Sequence, residues 1–247
     1  MLKADIHLHT REDIADRFIQ YDAFTLIERA AAHGFSVLSI TNHDQWTYTE
    51  RLRDFAAERG ILLIPGIEMT VQGKHVLAYA TEGRRGNMPG NIADLRRFKG
   101  RETLFVAPHP YYPSSRSLGK ALTRWRDLFD AVELCHLYTR HLNYNRRALR
   151  TAAAFNLPVI GTSDCHVLRQ LNTTYTLIDA AKDTVAIFDA IKCGNIAVVS
   201  SPLTLCEIAR IIHGIMFRHA AGGIVRGCRD LCAAMRRVRA GSVIARW

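Results

Sequence analysis

No apolar run in this chain of 247 residues reaches the length of a membrane span. No internal repeat or low-complexity tract is present. Acidic residues are scarce, 23 against 33 lysines and arginines, which leaves a net charge of +10. That surplus says nothing of fold, but it suits a phosphate-bearing substrate, a nucleic acid or an anionic membrane surface. The six cysteines (135, 165, 193, 206, 228 and 232) include no C-x-x-C pair, and they read as reduced, mostly buried thiols. Cys228 and Cys232 stand four apart, one turn of a helix. Met1, Leu2 and Lys3 run straight into Asp5 and His7 with no signal-peptide pattern, so the expected location is cytoplasmic. Hydrophobic content of 48% with 23% charged residues fits one full-size folded domain, with an extension, rather than disorder.

The first two hundred residues alternate short β-rich runs with helical patterns. Apolar residues at helical spacing mark 22–33, stopped by Gly34, and 48–59, stopped by Gly60. Helices are also predicted over 91–98, 117–129, 143–155 and 184–192, the last closed by Gly194. Strict strand–helix alternation predicts an α/β fold with a parallel sheet and covering helices. About seven strands with scattered ligands favour a closed barrel over an open sheet. One segment departs from this pattern. Residues 73–79 follow Glu68 too closely for an intervening helix and read as a return strand paired with the Glu68 strand. Residues 111–117 form a Pro/Ser loop beyond His109, suited to a lid or substrate loop.

Five β-like runs end in metal-ligand residues. His7 and His9 close the first, and His43 and Asp44 follow 36–40. Glu68 follows 61–65, His109 follows 103–106, and Asp164 and His166 follow 158–161. A parallel barrel brings the carboxyl ends of its strands to one mouth. His7 and His9 lie two apart, so on a strand both face the same way, and Asp164 and His166 repeat that spacing. Asp5 shares the face of His7 and is placed to orient a ligand ring. A lone strand histidine is more often a packed or exposed one than a ligand. Two such pairs together with Glu68, His43 and His109 reverse those odds and predict a polynuclear metal site, of a kind that mostly serves hydrolysis. Mixed nitrogen and oxygen donors suit Mn, Fe or Zn better than Ca or Mg.

The ordered set DIHLHT (5–10), TNHD (41–44), PGIE (65–68), PHP (108–110) and SDCH (163–166) resembles the polymerase-and-histidinol-phosphatase (PHP) superfamily. The likeness spans residues 1 to about 200, and within the superfamily the chain looks like stand-alone phosphoesterases similar to the TrpH-type nucleotide phosphatases. The resemblance implies an irregular seven-stranded (β/α) barrel over residues 1–201, holding two or three divalent ions (Mn, Fe or Zn, with Mg as a lesser choice). It implies that His7, His9, Glu68 and Asp164 hold a first ion. Glu68 would bridge to a second, held also by His75 and His109. His43 and His166 would hold a third with an acid from the loop after His9. That loop offers Glu12, Asp13 and Asp16 where the family has one aspartate, and Asp16 is favoured slightly over Asp13. The implied activity is hydrolysis of a phosphomonoester, a nucleotide or histidinol-phosphate-like compound, by a metal-activated water. Asp164, His43 and His166 are then the catalytic candidates, the leaving group being helped either by the third ion or by a protonated His43 or His166.

Arg11, Arg116 and Arg140 follow ligand motifs and are candidates to clamp phosphate, because guanidinium matches phosphate bidentately. His136, an extra histidine at a strand end, reads first as a group that supports a ligand, with direct metal ligation or substrate contact as the alternative. The second functional reading is an exonuclease or phosphodiesterase on short oligonucleotides, with Tyr111, Tyr112 and Tyr138 stacking bases. A third is a non-catalytic scaffold whose metals only stabilise it. Residues 203–247 hold eight arginines, two acids and no lysine. Region 202–247 therefore reads as a basic extension of two helices, 205–217 and 225–238. It either caps the barrel or contacts nucleic acid or an acidic partner.

Overall fold

The computed structural model describes residues 1–82 and 89–213. Among them, ten strands form two five-stranded sheets. The first contains β1 (Leu2–Leu8), β2 (Val37–Ile40), β3 (Leu62–Leu63), β9 (Thr174–Ile178) and β10 (Ile196–Ser200), in the order β10-β9-β1-β2-β3. The second runs in sequence order through β4 (Gly66–Val71), β5 (Lys74–Ala80), β6 (Thr103–Ala107), β7 (Ala131–Cys135) and β8 (Val159–Thr162). The sheets touch at two isolated parallel bridges, Leu8 with Cys165 and His43 with Glu68. Both bridges fall among the ligand motifs.

The sheets are mixed rather than wholly parallel. The expected return strand is β5, antiparallel to β4 with Glu68 opposite Leu77. Gln72 and Gly73 turn the chain with φ of 50° and 72°, the left-handed pair a two-residue hairpin demands, and so short a link cannot support a parallel crossover. β5–β6, β1–β9 and β9–β10 are also antiparallel. The run 61–65 yields only the two residues of β3, and Glu68 stands inside the separate strand β4 instead of ending the earlier one. Gly66 allows this break beside its neighbours, since a Cβ there would run into Ser39 and Tyr79.

Among the described residues, five α-helices lie in the connections between strands. α1 (Ala23–Ala32) is capped by Asp22, α2 (Glu50–Glu58) by Thr49 and α5 (Thr184–Cys193) by Asp183; each side chain accepts a backbone N–H of the first turn. Gly194 ends α5 in the left-handed conformation, as its position predicts. α4 (Asn145–Ala154) occupies the centre of the predicted 143–155 helix. The predicted helix 91–98 is instead a 3-10 helix, Ile92–Phe98. The predicted helix 117–129 breaks into α3 (Lys120–Arg124) and a 3-10 turn, Arg126–Leu128. The Gly119 N–H donates to the Pro110 carbonyl and pins the chain there, so the helix starts late.

Apolar clusters lie on both faces. Leu26, Ile27, Leu38 and Ile40 pack α1 against the first sheet, and Ile67, Phe105, Val132 and Ala148 pack α4 against the second. A third cluster joins Ile6, Leu77, Tyr79, Val106 and Ile160 to Phe188 of α5. Residues 205–213 are helical, started by a reciprocal cap in which Thr204 and Glu207 bond each other's backbone N–H. Leu203 and Ile211 pack there with Val167 and Leu137. The remainder of the predicted basic extension, with the second helix 225–238, Cys228 and Cys232, lies outside the described residues. Cys135 and Cys165 are free and buried, Cys193 and Cys206 free and exposed. No helix among the described residues is long and apolar enough to cross a membrane.

Candidate metal centre

His7 near the end of β1 and His9 just beyond it turn their Nε2 atoms to the same two carboxylates. His7 Nε2 lies 3.2 Å from Glu68 Oε2 and 3.4 Å from Asp164 Oδ1. His9 Nε2 lies 3.2 Å and 3.5 Å from the same atoms. Two donor atoms about 2.0–2.2 Å from one ion stand roughly 3.0–3.5 Å apart in tetrahedral or octahedral coordination. His7, His9 and Glu68 are therefore spaced for one ion, and Asp164 Oδ1 stands against the same two imidazoles. His9 Nε2 is buried and has no hydrogen-bond partner, an orphan that a metal lone-pair bond would satisfy.

The other oxygen of Glu68 faces a second group. His109 Nε2 lies 3.2 Å and His75 Nδ1 2.6 Å from Oε1. The His75 contact is short, yet its angles are not those of a hydrogen bond, and His75 Nδ1 is likewise orphaned. His43 Nε2 is 3.2 Å from Glu68 Oε2, so Glu68 is shared by five imidazoles.

A third group gathers around the loop after His9. Asp13 Oδ2 lies 2.9 Å from His43 Nδ1 and 3.0 Å from His9 Nδ1. Asp16 Oδ2 lies 2.9 Å from His166 Nε2 and 3.5 Å from His43 Nδ1. Asp16, which the resemblance favoured slightly over Asp13, is one of two acids in this group. Asp13, passed over in that choice, lies deeper, and its Oδ1 also accepts the Ala15 and Asp16 N–H groups, folding the loop back on itself. His9, Asp13, Asp16 and His43 form one of several donor groups close enough to share an ion. Imidazole and carboxylate donors without thiolates fit Mn, Fe or Zn.

Burial by itself raises a carboxyl pKa and lowers an imidazole pKa. Here the partners outweigh burial. Facing histidines hold Glu68 and Asp164 far below the usual carboxylate range, and Asp13 and Asp16 below it. Glu133, Asp164 and Glu68 raise His7, and Asp13, Asp164 and Glu68 raise His9. Glu68 raises His109. His75 goes the other way, lowered by burial and by its histidine neighbours. Concentrated anionic oxygens against cation-seeking nitrogens are the electrostatics of a site built for cations. The backbone joins in: His109 and Asp164 hold φ of 25° and 45°, a left-handed region costly for non-glycine residues and common at functional turns.

The substrate-side candidates separate. Arg116 stands at the rim, its guanidinium 3.2 Å from Thr70 Oγ1 and 3.5 Å from His75 Nε2. Arg11 is exposed and paired at 3.1 Å with Asp22, the α1 cap, so that contact does not bring it to the cluster. Arg140 is exposed, and its carbonyl accepts from Arg146. His136 is buried, and burial lowers its pKa to about 4. Its Nε2 accepts a 2.8 Å bond from Gln170 Nε2. Gln170 is oriented by its Oε1, which accepts the His166 and Val167 N–H groups at 2.8 and 2.7 Å, and its Nε2 also donates to the Asp164 carbonyl. Gln170, like Glu133 with its 2.6 Å contact to His7, escaped the motif reading. An acid inside the apolar strand AVELC is the signal that would have marked Glu133. Tyr111, Tyr112 and Tyr138 bond Thr151, Leu137 and Ser200 through their hydroxyls, and Arg147 covers the Tyr111 ring.

A mixed α/β scaffold that collects buried imidazoles and carboxylates from six strands and loops is a metal-centre architecture. Residues 143–196 match the PHP-associated family model. Among solved structures, PsfC from Pseudomonas syringae is similar with a TM-score of 0.59 at 15% identity, covering 89% of this chain and 98% of that one. A Bifidobacterium adolescentis protein assigned as a metal-dependent phosphoesterase is similar with a TM-score of 0.51 at 18% identity, covering 66% and 87%. At these identities the likeness concerns the fold. An uncharacterized protein of Methanocaldococcus jannaschii, MJ1587, is 27% identical over 158 residues, 60% of this chain and 90% of that protein. The family likeness thus extends over residues 143–196, and the fold likeness over most of the chain.

Proposed function

We propose that the chain is a metal-dependent phosphoesterase that hydrolyses phosphomonoesters, with a nucleotide or a histidinol-phosphate-like compound as substrate. The double use of Glu68 carries this reading. One oxygen faces His7, His9 and His43 and the other faces His75 and His109, the disposition of a carboxylate that bridges two ions. The description of the Bifidobacterium neighbour is in keeping with a phosphate ester. The reading takes the two sheets as one irregular (β/α) barrel whose seams are the Leu8–Cys165 and His43–Glu68 bridges.

Divalent ions, when bound, supply Lewis acidity towards phosphate oxygens and lower the pKa of water from about 16 towards neutrality. His7, His9, Glu68 and Asp164 would hold the first ion, Glu68, His75 and His109 a second, and His43, His166 and the Asp13/Asp16 pair a third. His166 Nδ1 is 2.9 Å from the Asp164 carbonyl, a bond that orients the ring and presents Nε2 to the mouth. His43 and His166 are the partly open histidines of the third group, with side-chain exposures of 12% and 16%. With the third position empty, either ring, when protonated, would deliver a proton to the departing alkoxide; a third ion held there would neutralise it instead. Arg116, beside His75, grips the phosphate or its neighbour. The site is read as cytoplasmic, with a small phosphorylated substrate.

The test is phosphate release from nucleoside mono- and bisphosphates and histidinol phosphate by Mn-loaded protein, against a chelated control. Chelator-sensitive release from one or a few compounds is expected. Bound metal without release from any of them overturns the phosphomonoester reading and moves the assignment to phosphodiester cleavage of oligonucleotides. That alternative rests on the net charge of +10.

A further inference from the structure

We propose that Glu133 is a positioning residue of the metal centre, fixing the His7 tautomer that points the Nε2 lone pair at Glu68 and Asp164. The inference rests on the reading that His7, His9, Glu68 and Asp164 hold an ion.

Glu133 sits in the middle of β7 and is fully buried. Its carboxylate receives three donors from three other segments. Oε1 lies 2.6 Å from His7 Nδ1 on β1 and accepts the Thr162 hydroxyl from the end of β8, two residues before Asp164. Oε2 accepts the His109 backbone N–H at 2.5 Å, just beyond β6. One side chain thus ties together the segments that present His7, His109 and Asp164. The hold on His109 also serves a residue whose φ of 25° needs support from its surroundings.

An ionised carboxylate carries acceptors alone, so it satisfies all three donors at once. Accepting at Nδ1 keeps the proton there and leaves the Nε2 lone pair, 3.2 Å from Glu68 Oε2, free for a metal. A glutamine of the same shape cannot do this. With its oxygen at the His109 N–H, its NH2 group meets His7 Nδ1, which must become an acceptor, and the proton moves to Nε2 and blocks the ligand atom. With the amide reversed, NH2 meets the His109 N–H, and two buried donors oppose each other.

The experiment compares the full-length wild type with Glu133→Gln after dialysis against zinc, reading zinc content and zinc affinity, with circular dichroism to check folding. The expected result is a folded variant lacking at least one ion per chain, with affinity at that position reduced about 10- to 100-fold. A folded variant with unchanged ion content and affinity overturns the proposal and leaves the metal centre standing. A wild type that binds no zinc sinks the metal-centre reading instead. A second measurement needs no variant: imidazole 15N spectra of the zinc-loaded wild type should show His7 protonated at Nδ1. A proton on His7 Nε2 overturns the proposal, whether or not Glu133→Gln folds.

Discussion

One face of β5 carries two chemistries. His75, at the start of the strand, stands among the imidazoles around Glu68, whereas Leu77 and Tyr79, two and four residues on, lie in the apolar cluster with Val106 and Ile160. β7 repeats the contrast, with Ala131 in the apolar cluster and Glu133 bonded to His7. Period-two geometry puts these residues on a common face, so position along the strand decides their roles. The apolar end stabilises the fold by removing carbon from water. The polar end gathers buried ionisable groups, which are costly to bury and tolerable only while paired. Stability and chemistry are thus segregated along the same strands.

That segregation can be broken at either end. Asp164→Ala should abolish turnover to the background rate, read as phosphate release, while circular dichroism stays native; a fully active variant would remove Asp164 from the centre. Leu77→Ala, at the other end, should lower the unfolding free energy by about 2–5 kcal/mol in denaturant titration yet leave the bound-ion content unchanged. Loss of ions there would show that the two ends are not separable.

His136 sharpens the comparison through pH. Its folded pKa of about 4 lies below the ordinary histidine value of 6.5, because burial disfavours the imidazolium. Above pH 6.5 the ring is neutral in both states and contributes no pH dependence. As pH falls from 6.5 towards 4, the unfolded chain binds a proton that the folded chain refuses, so stability falls by up to roughly 3 kcal/mol. Chelated His136→Gln protein should lose that component relative to chelated wild type in denaturant melts across this range. An identical pH profile would refute the buried neutral ring. The smallest contrast is at the rim. Arg116→Ala should raise KM about tenfold with little change in kcat, as expected for a charged hydrogen bond of about 1.5–3 kcal/mol. Arg11→Ala, which frees Asp22 and Glu12, should leave KM within about twofold.

Much of the site was legible because metal ligands are rare residue types set in short motifs at strand ends. His7, His9, His43, Glu68, His109, Asp164 and His166 come together in space as their motifs suggested. Even the β4–β5 hairpin could be read, from the few residues between Glu68 and His75. The resemblance left Asp13 and Asp16 close to even, and the loop after His9, folded back through Asp13 Oδ1, brings both acids to histidines. Gln170 belongs to no metal-ligand type, and its part depends on backbone groups of a loop.

Local chemistry along the chain was enough to set helix caps at Asp22, Thr49 and Asp183, the stop at Gly194 and the two-apart ligand pairs, because each depends on neighbours within a few residues. Tertiary structure alone decided the antiparallel pairings β1–β9 and β5–β6, the sharing of Glu68 among five imidazoles, and the link from Glu133 to His7 across 126 residues. Those outcomes depend on which segments the folded core brings within hydrogen-bonding reach, and separation in sequence carries no record of that distance.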